Sequence, residues 1–515
     1  MATNKNITIK QFNGTDYDTL YPKTKIEQVE GAYTQQQILS DSTKTMYGLD
    51  ETAVPDDAFR TIPGKIEPIG TVKTSLRTDL SDDWLLANGE MFDSNQYPGL
   101  LDLIPADITK KWPVIEIPQT PFPSPVDGHT TTETTYSGDK YAAKVYGEYL
   151  YILFKVPYDS GYGVYLARIK KDFSGDFEIS KPISYYVESS TSGFYPEDFA
   201  IDETTGKIIV VGSKRYSASA SGYGFAFAYA DNFDGVWTEG YKSDSVDNYI
   251  FPQIEFVNGV AFCAIGVFFT TTASKAFRYA YSINYGHTWT YKEVSLPYNY
   301  FNGMVIKKVS DEKILLFYAS ASINSTSYKA GGSSSSNWGF VIAEFNASSK
   351  SLTTLETVKK TSVYGSSPNL GLIPFRGAII CSYSFGSYMY TPETGELSTV
   401  SNTAFKNLVG TTSWYDSRID KYWVITAPLE LCVLDNVDIE STVITNVRSI
   451  QNENNKTPSD TSLNNYPRMV FNDFHTFIFW PYTGIYTGTY LYGNYSPYWL
   501  PTITLDNAYC YIKGR

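Results

Sequence analysis

The side chains able to do chemistry in this chain form a short inventory. Histidine occurs only as His129, His287 and His475, too few for a multi-histidine metal site or a Ser-His-Asp nucleophile to be expected. The four cysteines, Cys263, Cys381, Cys432 and Cys510, lie in strand-like runs such as "AFCAIG" and "AIICSYS" without Cys-x-x-Cys spacing. They read as buried free thiols. Carboxylates are more numerous, but Glu188, Asp202, Asp231, Asp234 and Asp416 fall in predicted turns, where side-chain capping accounts for them without acid–base work. No loop matches an EF-hand pattern, so no metal is assigned. Arginine is the informative type, because its guanidinium fork grips a carboxylate bidentately. Arg168, Arg215, Arg278, Arg376, Arg418, Arg448 and Arg468 are spread over the second two-thirds of the chain, and no three stand in a recognisable arrangement. On these grounds no catalytic residue and no cofactor is expected, and the chain reads as a non-enzyme.

Composition narrows the partners. The 515 residues are 16% aromatic, with 44 tyrosines, and only 18% charged, with a formal net charge of −13. Phosphate binding needs clustered Lys and Arg, and none is present, so nucleic acid is excluded. The opening "MATNKNITIKQF" lacks a signal-peptide core, and no apolar run reaches the ~18 residues of a membrane span, which predicts a product made in the cytoplasm with no membrane insertion. Many Tyr, Thr, Ser, Asn and Gly with few charges point to β structure.

The elements that position these groups repeat. Apolar runs begin at Glu148, Lys207, Gly259, Lys313, Gly377, Lys421 and His475, about 50 residues apart, the period of a four-stranded propeller blade. Before them come reversals such as "DETTG" (202–206), "VNG" (257–259) and "DSRID" (416–420), in which Asp, Asn and Gly supply a tight turn between antiparallel strands. A third strand follows in each unit, as in "YGVYLARI" and "GFAFAYA", and its small residues suggest packing near a central axis. The fold class predicted is mainly β, a propeller of about seven blades, or six, with a small N-terminal region. The boundaries read 1–69 for an N-terminal region, 70–111 for a compact module, 112–139 for a proline-rich linker ("WPVIEIPQTPFPSPVDG" within it), 140–497 for the propeller and 498–515 for a C-terminal strand. Proline density makes the linker a stiff spacer.

Two short motifs resemble known families. "SINYGHTW" (282–289) resembles the Asp-box of sialidase propellers, a turn in which Ser282 and Asn284 cap backbone groups, Gly286 takes φ > 0, Thr288 follows and Trp289 plugs the blade. A degenerate copy stands at "DNFDGVW" (231–237). The family's arginine clamp is not matched: "PFRG" (374–377) sits in the wrong blade, and "FRTIP" (59–63) lies outside the propeller. The motif therefore implies a blade turn and not a catalytic centre. The segment "DDWLLANGEMFDSNQYPGLLDLI" resembles the tail-collar-like module of bacteriophage tail fibres and receptor-binding proteins, with Trp84, Leu85, Asn88, Gly89, Tyr97 and Pro98 at the matching positions. Ala87 stands where many relatives carry Cys.

That resemblance implies a virion tail protein, made in the host cytoplasm, which docks to other tail proteins by its N-terminus and meets a host-surface glycan or other receptor through its propeller. It also implies a homo-oligomer, with a trimer favoured. Loops dense in aromatics supply the candidate binding residues: Tyr216, Tyr223, Tyr328, Trp338, Tyr486, Tyr490 and Tyr492. Alternatives are a glycan-cleaving virion enzyme and a purely structural virion component.

Overall fold

The computed structural model describes residues 69–515 except 77–79, 81, 95, 110–117, 136–138, 172–173, 187–192, 216–222, 243–246, 270–276, 299, 323–335, 364–369, 384–385, 427–429, 450–467, 472–476, 481–489, 493–496 and 505–507. Residues 1–68, with the expected attachment region and "FRTIP", lie outside it. The chain divides into one unit of Met1–Ala106 with Tyr498–Arg515 and a second of Asp107–Pro497.

In the first unit, Tyr509–Lys513 lies antiparallel between Val72–Ser75 and Trp84–Leu86. Leu85, Ala87, Phe92, Tyr97, Leu100 and Ile512 share one apolar cluster. The "ANG" turn is built by its residue types. The Asn88 side chain accepts a hydrogen bond from the Glu90 amide at 3.0 Å, and Gly89 adopts φ +81, where an added Cβ would come within 2.4 Å of Thr502 Oγ1. Pro98 then opens a single 3-10 turn, Pro98–Leu100, since its fixed φ suits a first helical position and its missing N–H costs nothing there. Lys73 and Lys513 hold their ammonium groups 4.9 and 5.4 Å from the Trp84 ring centre.

The second unit is a β-propeller. Among the described residues it holds seven antiparallel sheets, five of them four-stranded meanders such as Phe194–Ile201, Ile208–Arg215, Tyr223–Ala230 and Thr238–Lys242. Every apolar run singled out in the sequence is the second strand of a sheet. Where side chains are described, these runs are buried on both faces because their sheets are covered on both sides. Ile314, Leu315, Leu316 and Phe317 are consecutive and wholly buried; Ile314 and Leu316 join the preceding sheet's core, while Leu315 and Phe317 join the following one's. The hairpins between first and second strands use left-handed residues, Asn258 and Gly259 at φ 46 and 70, Arg376 and Gly377 at φ 51 and 78, the twist-matched turn for two-residue loops.

Two expectations are corrected. It is the first strands that meet around the axis, not the third. Asp139–Tyr146 lies against Phe194–Ile201, that strand against Asp247–Val257, that against Tyr300–Lys308 and that against Leu370–Phe375, while Arg468–Phe471 returns to Asp139–Tyr146. The proline-rich stretch is also no free spacer. Residues 118–135 fold back on the first sheet, where Phe122 is buried against Phe154 and Tyr165 at ring distances of 5.2 and 5.4 Å. The Tyr158 and Tyr165 hydroxyls donate to the Pro123 carbonyl at 2.7 and 2.9 Å. Proline removes amide donors from this stretch but leaves its carbonyls free to accept.

The turn at 282–289 is held by its own side chains. Buried Ser282 accepts from the Gly286 amide at 2.8 Å and donates to Asn284 Oδ1 at 3.0 Å, and Asn284 Oδ1 accepts from the Thr288 amide at 2.9 Å. Trp289 leaves its own sheet and wedges against Phe225 and Phe227 of the preceding one, 5.5 Å from each. Trp237, from the equivalent turn at 231–237, packs likewise in the core between the first and second sheets. Both tryptophans therefore fill seams between sheets. Gly286 has φ +92, and a Cβ there would approach Tyr229 to 3.2 Å. Gly286→Ala is expected to cost about 1–3 kcal/mol through that strain, read as a lower denaturant midpoint; an unchanged midpoint would show that the turn relaxes freely.

Candidate functional site

The tetrapeptide Ser-Gly-Tyr-Gly occurs at 160–163 and again at 221–224. It places Tyr162 and Tyr223 at the starts of the third strands of the first two sheets. Tyr195 stands near the start of the second sheet's inner strand, and Tyr186 lies opposite Tyr162 in a short paired strand. The four rings form a connected row, with centroid distances of 5.6 Å from Tyr162 to Tyr186, 5.7 Å from Tyr186 to Tyr195 and 6.0 Å from Tyr195 to Tyr223. Tyr186 is buried, whereas Tyr162, Tyr195 and Tyr223 are half-buried. Gly193 is required beneath Tyr186, since a Cβ would come within 2.8 Å of its ring.

Lys155, on Tyr149–Tyr158, ties the row together. Its ammonium is 4.0 Å from the Tyr162 ring centre and 5.2 Å from that of Tyr195, within the reach of a cation–π attraction. Tyrosine rings and their hydroxyls are the side-chain chemistry that packs on sugar C–H groups and hydrogen-bonds to sugar hydroxyls.

A second cluster lies on the inner strands. Lys144 donates to Ile254 O at 2.7 Å and to Asp198 Oδ2 at 3.3 Å, and lies 3.5 Å from Glu255 Oε2. Asp198 also accepts from the Ile254 amide at 3.0 Å. Burial works against the Lys144 charge, but the two carboxylates outweigh it and hold its pKa above the ordinary lysine value. Lys307, donating to Thr411 O at 2.8 Å, is pulled the other way, chiefly by burial. Tyr146 meets Glu255 at 3.4 Å, the residue types of a tyrosine nucleophile and its partner. Burial and the carboxylates of Glu255 and Asp198 push its phenol well up.

The hairpin carrying Tyr162 also brings a serine, a histidine and an aspartate together. His129 Nδ1 lies 2.9 Å from Asp159 Oδ1 and 2.7 Å from Ser160 Oγ. Both partners meet one ring nitrogen, whereas a proton relay needs them on opposite nitrogens. The His129 bond holds the Asp159 carboxyl below its usual range, and the ring rests on Tyr185 at 5.0 Å. This contact pins the proline-rich segment to the hairpin.

Four of the seven propeller arginines have described side chains, and no contact is seen between any two of these four. Arg168 pairs with Glu178, Arg278 faces Tyr318, Arg376 sits in a hairpin turn and Arg418 pairs with Asp416. Of the aromatic candidates, Tyr216, Tyr328 and Tyr486 lie outside the described residues, and Tyr490 and Tyr492 are placed in the strand Tyr490–Tyr492 by backbone alone. Trp338 is corrected: it is 2% exposed within the strand Ser336–Asn346, opposite Ala321, and belongs to the interior. Tyr223 joins the row. Its neighbours Tyr162, Tyr186 and Tyr195 lie outside the aromatic-dense stretches picked out in the sequence, yet the repeated Ser-Gly-Tyr-Gly marks two of the four positions.

No family model matches the chain, and no curated protein matches it. Among solved structures it is similar to the phage phi92 endosialidase (12% identity over 47% of this chain and 52% of that one, TM-score 0.33). It is also similar to the Myceliophteria thermophila Cps50 (Swd1) β-propeller domain (9% identity, 70% and 99%, TM-score 0.37). A third similar structure is the Bombyx mori GH32 β-fructofuranosidase (9% identity, 73% and 88%, TM-score 0.29). The match spans about half the length of the endosialidase. The expectation of a non-enzyme is corrected here: the similar structures include two that are enzymes by name, an endosialidase and a β-fructofuranosidase.

Proposed function

We propose that the chain is a tail protein of a bacteriophage virion whose propeller engages a glycan of the host surface. The half-buried row of Tyr162, Tyr195 and Tyr223, with Lys155 against the first two, carries this reading, because aromatic rings that bear hydroxyls are the chemistry that packs on sugar rings. The tail assignment rests on the collar-like residues around Trp84, and display in several copies, a trimer among them, adds weak contacts through effective concentration.

Purified full-length protein is expected to bind host cells and to be competed off by polysaccharide extracted from their surface, with an antibody to it labelling the tail tip of virions. Reducing ends are followed in the same mixtures, so turnover of the glycan is read together with its capture. Absence of binding both to cells and to the extracted polysaccharide sinks the proposal.

A further inference from the structure

Resting on that reading, we infer that the proline-rich segment 118–135 is a strap coupled to the tyrosine site: glycan held at the row and the strap held on the first sheet stabilise one another. The two share their supports. Tyr185 and Tyr186 are neighbours in the short strand Ser184–Tyr186, and Tyr185 serves the strap while Tyr186 belongs to the row. The Tyr185 hydroxyl lies 2.8 Å from Ser160 Oγ, which lies 2.7 Å from His129 Nδ1. Ser160 in turn stands two residues before Tyr162, which pairs with Tyr186, as Gly163 does with Tyr185. Gly163 also makes room for the tyrosines that hold Pro123, since a Cβ there would come within 2.7 Å of the Tyr165 ring and 2.9 Å of the Tyr158 ring. The tetrapeptide at 160–163 thus serves strap and row at once.

The strap has one firm end and one loose end. Phe122 is buried in the apolar cluster of the first sheet, whereas the His129–Asp159 pair is partly in water, with side chains 26% and 50% exposed. A pair so placed is weak, so the stretch from Ser124 to Thr131 lifts while Phe122 stays seated, a local opening of the low-stability kind. Lifting removes the His129 contact with Ser160 and the Thr131 donation to Pro157 O at 2.9 Å, which loosens the hairpin that sets Tyr162. A glycan on the row binds the seated form better, because the seated hairpin already holds the ring. Linkage makes the effect reciprocal. The strap is also the chain's route from the first unit, whose N-terminal part ends at Ala106, into the propeller. Occupancy of the site therefore alters how firmly that route is held.

The test is hydrogen–deuterium exchange of full-length protein with and without saturating polysaccharide extracted from the host surface, read by mass spectrometry on peptides covering 124–135. Exchange there is expected to slow about fivefold or more on binding, while the strand Ser351–Val363 of the fourth sheet stays unchanged. His129→Gln is expected to weaken affinity for the polysaccharide by a similar factor, about fivefold. His129→Asn, whose amide stands near the place of the ring Nδ1, retains most of the affinity. A polysaccharide that binds without slowing exchange at 124–135, or that binds all three proteins equally, overturns the coupling and leaves glycan recognition standing. No binding by the unmodified protein overturns both. Should His129→Gln fail to fold, the exchange comparison on the unmodified protein still decides.

Discussion

Asp416→Ala is expected to destabilise the propeller by about 3–5 kcal/mol, the cost of stripping a buried charge pair of one partner. Asp416 is 1% exposed. Its carboxylate accepts from Arg418 Nε and Nη2, both at 2.6 Å, from the Arg418 amide at 3.1 Å and from the Trp423 indole at 3.3 Å. Alanine leaves a guanidinium without its counter-charge and an indole N–H of a wholly buried tryptophan without this acceptor. Asp416→Asn keeps an acceptor and a donor of the same shape but drops the charge, so it should fall between the two. Equilibrium urea unfolding followed by tryptophan fluorescence reads the difference; equal midpoints for the parent and the alanine variant would refute the role given to Asp416.

Asp198→Ala is expected to cost a similar about 3–5 kcal/mol, because Asp198 is where three inner strands are tied together. It takes Lys144 from Asp139–Tyr146 and the Ile254 amide from Asp247–Val257. The same cluster sets an alkaline limit. Lys144 has its folded pKa above the ordinary 10.5, so the stability it contributes is complete below that value and is lost as pH rises through the folded one. Tyr146 is raised well above 10.0; beyond that pH the unfolded chain gives up the proton that the folded one keeps, and stability falls again. Both groups act in the same direction. Unfolding free energy should decline above about pH 10, with a slope of up to ~1.4 kcal/mol per pH unit for each proton. Tyr146→Phe should flatten part of that decline. A profile level to pH 11 in both proteins would count against the cluster's contribution.

Much of the fold was legible because it follows from local chemistry. The second strands announce themselves as unbroken apolar runs, since both faces are covered, and Asp202 or Asn258 in a reversal has a capping or left-handed duty that the residue type reveals. The inner-strand cluster was not legible. Lys144 meets Glu255 and Ile254 across more than a hundred residues of chain, and no period in the sequence states which strands face one another around the axis. Trp338 misled for a related reason. It follows four serines and looks like part of their loop, yet the strand pairing begins at Ser336 and carries it into the interior. The prolines at 118, 121, 123 and 125 read as a spacer by composition, but Phe122 among them had a core position to fill. The tyrosine row was half visible. Tyr223 was singled out for its loop, and the second copy of its tetrapeptide, at Tyr162, is the signal that would have paired the two. Counting arginines settled less than it promised, since it bears on one way of gripping one kind of sugar.

The strand Tyr509–Lys513 has a consequence for the order of events in synthesis. It sits between Val72–Ser75 and Trp84–Leu86, and the Lys513 ammonium reaches Asp83 at 3.2 Å across 430 positions of sequence. A ribosome delivers the two flanking strands early and the central one only after the whole propeller has emerged. The small sheet must wait through that interval with its middle vacant, so any chain cut short before residue 509 carries a propeller without a finished module. The two outer strands of this sheet, which do not pair with each other, are thus joined only by a segment that follows the propeller in the chain.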